Sequence, residues 1–68
     1  MSDSSISDDV FKLMVARVIE KCGVKALARK IQVSHPSIER WANGKSFPSQ
    51  YMRPHAIKLM EELLDEGD

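Results

Sequence analysis

Apolar positions recur at helical spacing through most of this chain. Phe11, Met14, Val15, Val18 and Cys22 stand at i, i+3, i+4, i+7 and i+11, along one face of a helix. Ser7 is a good N-cap for it, and Asp8 and Asp9 occupy the first turn, where the helix dipole favours negative charge. Ile6 before the cap and Phe11 after it have the spacing of a hydrophobic staple. Gly23 is the stop, so a first helix is predicted over about 8–22. Val24, Leu27, Ala28 and Ile31 form the apolar face of a second, short helix, about 24–31. Gln32-Val33 breaks the pattern and Ser34 caps again. Pro36 follows in the first turn, where a missing N–H costs nothing. A third helix over about 35–42 ends at Asn43-Gly44, a pair able to turn left-handed. Residues 45–49 read as a loop and 50–53 as a short helical turn. Pro54 then starts a last helix, to about Asp65, with Ala56, Ile57, Leu59, Met60, Leu63 and Leu64 on one broad arc. No strand signal interrupts the series. The prediction is an all-α bundle of four to five helices, a single domain over residues 7–66 behind a disordered segment 1–6.

At 68 residues the chain has room for one small core, and 43 % apolar residues suffice for it. The ten residues predicted to build that core are Phe11, Val15, Val18, Leu27, Ala28, Val33, Ile38, Trp41, Ile57 and Met60. The lone Cys22 cannot form an internal disulfide, and the two histidines have no thiolates beside them. A cytoplasmic setting without a metal or other cofactor is therefore expected. No apolar run nears the ~20 residues that span a bilayer, and an acidic start such as Met1-Ser2-Asp3 is not that of a signal peptide. With no nucleophile–base pair visible, enzymatic chemistry is not expected. Net charge is zero, yet its distribution is uneven. Residues 23–58 carry +6, while residues 1–9 carry −3 and residues 59–68 carry −5. A basic middle between acidic ends points to a polyanionic partner for the middle.

Two short helices joined by about three residues are the pattern of a helix-turn-helix. Its packing demands are met: Ala28 is small where the helices approach, Val33 can turn inward, and Ile38 and Trp41 lie three apart on the inner side of the third helix. Pro36, Glu39, Arg40 and Asn43 are then left on the outer face, with His35 and Ser37 on its flanks. A polar face of this size suits a DNA major groove, about 12 Å wide.

Residues 24–48 resemble the Cro/cI-type (lambda repressor-like) helix-turn-helix of phage repressors. Leu27-Ala28, Val33-Ser34, Ile38, Trp41, Gly44 and Pro48 fall in register with that family's pattern. The resemblance covers this motif strongly and extends loosely to the whole chain. Gln32 stands where the family usually has a turn glycine, and Val24 where many members have a phosphate-touching glutamine. The resemblance implies a DNA-binding transcriptional repressor whose third helix reads base edges through His35, Pro36 and Arg40. Ser37 and Glu39 are further base-reading candidates on the same face. Arginine suits the role because its fork pairs with guanine O6 and N7. Ser34, Asn43, Lys45 and Ser46, flanking the groove, and Lys25 are the implied phosphate contacts. Double-stranded DNA is thus the expected partner, with no membrane or small-molecule ligand evident. A homodimer is the usual arrangement for such readers, and its seam would use Val10 and Leu13 or the broad arc of the last helix. The competing reading is a protein-interaction module with the same fold, such as an antitoxin or an adaptor, favoured by zero net charge and by Glu39 on the reading face.

Overall fold

The computed structural model describes residues 6–66, which form four helices and, among the described residues, no strand. They are α1 (Asp8–Cys22), α2 (Val24–Ile31), α3 (His35–Asn43) and α4 (Met52–Glu66). The fold class is all-α, as the periodicity predicts. Each junction has a local cause. The Val10 N–H donates to Ser7 Oγ at 3.2 Å, and the Phe11 N–H to the Ser7 carbonyl at 3.0 Å. Gly23 serves two helices at once: its N–H closes α1 on the Ile19 carbonyl, and its own carbonyl accepts from Leu27 at the start of α2. Its backbone, φ 95° and ψ 158°, lies in a region open essentially to glycine alone.

α2 leaves through Gln32, at φ 69° and ψ 48°. The N–H groups of Gln32 and Val33 both donate to the Ala28 carbonyl, so the helix end is satisfied by a left-handed residue. Glutamine there carries a side-chain penalty that glycine lacks. Gln32→Gly is expected to raise stability by about 1 kcal/mol, less the extra backbone entropy glycine brings to the unfolded chain. Urea unfolding midpoints of the two proteins measure it, and a lower midpoint for the glycine variant would show the turn to be unstrained. Gly44 ends α3 in the same left-handed region, with the Lys45 N–H on the Arg40 carbonyl and the Gly44 N–H on the Trp41 carbonyl. That pair of bonds is a Schellman closure.

The last helical region differs from expectation. The short turn at 50–53 and the helix from Pro54 are one helix beginning at Met52. Pro54 is its third residue, where the absent N–H would have no intrahelical acceptor. The residue before a proline resists helical conformation. Arg53 adopts it all the same, with its side chain anchored to Pro48, Ile6 and Asp8.

α1 is the hub. It packs on α2, α3 and α4, while α2 also packs on α3 and α4, and α3 and α4 do not meet among the described residues. Phe11, Val15, Val18, Leu27, Ala28, Ile38, Trp41 and Met60 are buried as predicted, and Ile31, Ala56 and Arg53 join them. Val33 and Ile57, expected in the core, are only half-buried against its edge. The Trp41 and Phe47 rings each meet Phe11 edge-on, with centroids 5.4 and 6.0 Å away. Arg53 fills a socket beside them. Its Nε donates to the Pro48 carbonyl at 3.0 Å, and its Nη1 to the Ile6 carbonyl and to Asp8 Oδ1, both at 2.7 Å. Its guanidinium carbon lies 5.5 Å from the Phe47 centroid and 6.0 Å from that of Phe11.

Of the segment 1–6 expected to lack order, residues 1–5 lie outside the described residues. Ile6 is held firmly: besides Arg53, the Gln50 amide accepts from its N–H and donates to its carbonyl. Across the molecule Lys30 Nζ ties α2 to α4 through Glu66 at 3.0 Å and Glu62 at 3.4 Å. The hydrogen bond to Glu66 holds that ammonium above its ordinary pKa, and Glu62 adds to the rise. The apolar arc of α4 is spent on this packing. Ala56 and Met60 are buried, and Ile57, Leu59, Leu63 and Leu64 are half-buried against the core. Val10 and Leu13 on α1 remain uncovered, 51 % and 71 % exposed. Among the described residues no helix is long and apolar enough to cross a membrane.

Candidate nucleic-acid interface

Burial of Ile38 and Trp41 fixes the rotation of α3 about its axis. A helix anchored at i and i+3 must present the opposite residues outward. His35, Pro36, Glu39, Arg40 and Asn43 are accordingly exposed, and Ser37 is half-buried on the flank. The face is a single polar surface headed by the start of the helix. Glu39 and Arg40 are adjacent in sequence, so they do not face each other across a turn. Neither takes part in an ion pair among the described residues.

Ser34 departs in detail from its expected capping role. Its backbone is in the N-cap conformation, and its carbonyl accepts from Ser37 at 3.1 Å and from Ile38 at 3.3 Å. Its hydroxyl makes no capping bond and instead meets the Ser37 hydroxyl at 3.0 Å. The two serines are thus drawn together at the head of α3. Asn43, Lys45 and Ser46 are exposed at its other end. Lys25 is exposed on α2, and no hydrogen bond or ion pair joins it to the α3 face among the described residues.

One residue at this edge was not singled out by the sequence pattern. Lys12, from α1, lies across the end of α3: its Nζ is 3.6 Å from where a Cβ on Gly44 would stand. The only local hint is that Lys12 directly follows Phe11, whose ring packs against Trp41 of α3.

The zero net charge resolves into separate regions. The acidic residues of α4 cluster toward its C-terminal end, where Glu62 and Glu66 engage Lys30. Those two carboxylates are held at Lys30 of α2, and α4 does not pack on α3 among the described residues. Two open hollows, of about 550 and 530 Å³, lie between α1 and Ala42 of α3 and between α1 and α4; of the outward α3 residues none lines them. Among the described residues no three His, Cys, Asp or Glu side chains gather as a metal-holding group. The chemistry concentrated on α3 is therefore hydrogen bonding and charge on an open surface. No protein-family model matches the chain, and no curated protein or solved structure is significantly similar to it.

Proposed function

We propose that the protein is a sequence-specific DNA-binding regulator, a repressor of the phage or prophage kind, in which α2, the Gln32–Ser34 turn and α3 work as a helix-turn-helix. α3 enters the major groove. The observation that carries this reading is the division of α3: Ile38 and Trp41 are locked in the core while His35, Pro36, Glu39, Arg40 and Asn43 stand exposed and polar on the other side. The resemblance of residues 24–48 to the Cro/cI-type motif supports it, as does the three-residue connection. In this role Arg40, His35, Ser37 and Glu39 read base edges, and Pro36 shapes the helix start or meets a thymine methyl. Ser34, Lys25, Asn43, Lys45 and Ser46 touch phosphates and set register without reading sequence.

The test separates readers from positioners on a site selected from random duplexes. Arg40→Ala is expected to cost about 1–3 kcal/mol on that site, much less on random DNA, and to relax preference at one base pair. Arg40→Lys keeps the charge and loses the bidentate fork, so it should lose specificity too. Lys45→Ala should weaken both duplexes by similar factors and reduce the salt slope by about one. An Arg40→Lys protein with full specificity would remove Arg40 from the reading set.

The exposed Val10 and Leu13 favour a protein contact as well. In the regulator reading that contact is a homodimer, because one recognition helix reads only a few base pairs. In the antitoxin or adaptor reading it is a different protein. Affinity for DNA that is absent at low salt, or flat across salt concentrations, would decide for the latter.

A further inference from the structure

Lys12 is a cation without a partner in a place that invites one. A carboxylate four residues earlier on a helix ordinarily pairs with a lysine. Here that residue is Asp8, and its Oδ1 is taken by Arg53 at 2.7 Å. Lys12 makes no ion pair or hydrogen bond among the described residues. Its side chain nevertheless lies along the backbone at the end of α3, with Cδ and Nζ both 3.6 Å from the Cβ position of Gly44. Two carbonyls at this end, those of Arg40 and Trp41, are already satisfied by the Schellman bonds. The ammonium thus lies at the C-terminal end of α3, next to Gly44 and so one residue along the chain from Lys45, where the helix dipole favours a cation but no side chain pairs with it among the described residues.

We propose that Lys12 is a phosphate-binding residue for duplex DNA, completing with Lys45 a clamp on the backbone at the C-terminal end of α3. This rests on the major-groove reading above. It adds a third helix, α1, to an interface otherwise made of α2, α3 and the loop that follows. Because α1 is the hub of the core, a phosphate held by Lys12 couples the position of α3 in the groove to the most firmly packed helix. Asp8 Oδ1 turns to Arg53, and neither Asp8 nor Asp9 pairs with Lys12 among the described residues.

The experiment compares wild type, Lys12→Gln, Lys12→Arg and Arg17→Gln in duplex titrations at several salt concentrations. Arg17 is exposed on the same helix, five residues further along, so it controls for loss of one charge. Lys12→Gln should lower the log–log salt slope by about 0.9, so that its deficit against wild type shrinks roughly 3.5-fold between about 50 and 200 mM salt. The loss should be equal on selected and random duplexes. Lys12→Arg and Arg17→Gln should keep the wild-type slope. An unchanged slope for Lys12→Gln, or an equal drop for Arg17→Gln, would overturn the assignment to Lys12 while wild-type binding upholds the DNA reading. Wild type that binds no duplex at low salt would overturn both. Thermal melts of the variants, expected to superimpose on wild type, separate lost contacts from lost folding.

Discussion

Replacing Trp41 with alanine is expected to destroy the cooperative unfolding transition. Trp41 is 7 % exposed and joins α3 to α1 through its edge-on contact with Phe11, 5.4 Å between centroids. Emptying such a site removes the transfer free energy of the ring and leaves a cavity, together about 3–5 kcal/mol. A single core in a domain this small rarely supplies more than about 3–5 kcal/mol in total. The variant should therefore show a broad, shallow urea transition by far-ultraviolet circular dichroism. If it instead melted as wild type does and lost only DNA binding, Trp41 would be a surface reader and the rotation assigned to α3 would be wrong.

The second large effect is expected at Arg53, which is 8 % exposed. Arg53→Met keeps much of the volume against Phe11 and Phe47 and removes every donor. The carbonyls of Ile6 and Pro48 lose part-buried hydrogen bonds to a charged group. Two such losses, softened where water reaches the carbonyls, amount to about 2–4 kcal/mol. Asp8 contributes less, because it is 64 % exposed and its pairing is screened by solvent. Asp8→Asn should cost under about 1 kcal/mol. Urea unfolding of the two variants gives the comparison. Arg53→Met at wild-type stability, or an Asp8→Asn effect as large, would show that the socket is held by the ion pair or by nothing polar at all. A loss confined to Arg53→Met would also free Ile6, seen as faster exchange of its amide hydrogen, now held by Gln50 at 3.1 Å.

Much of this protein is written in short-range pattern. The limits of α1 and α2 follow from Ser7, Gly23 and the apolar spacing between them, and α3 differs from its predicted end by one residue, Asn43. These features rest on contacts within a turn or two, so neighbouring residues suffice to specify them. The break at Gln32 is legible in the same way, but its left-handed backbone is implied only by the family resemblance, which puts Gln32 where a turn glycine usually stands. The outward set on α3 is equally local, since burying Ile38 and Trp41 leaves the opposite positions exposed.

Tertiary structure decided the rest. By local rules Pro54 breaks the chain and Arg53 is one more surface cation of the basic middle. In the fold, Arg53 reaches groups 45 and 47 residues away in sequence, and that anchorage carries α4 through the proline from Met52. The same distant contact draws Asp8 Oδ1 to Arg53, and packing of α1 against α3 lays Lys12 over Gly44. Sequence alone determined α1, α2 and nearly all of α3, the Ser7 cap and the outward face of α3, because periodicity and capping act between near neighbours. Which cations are buried, paired or left free depended on the assembled core, because such partners meet only once distant segments have packed.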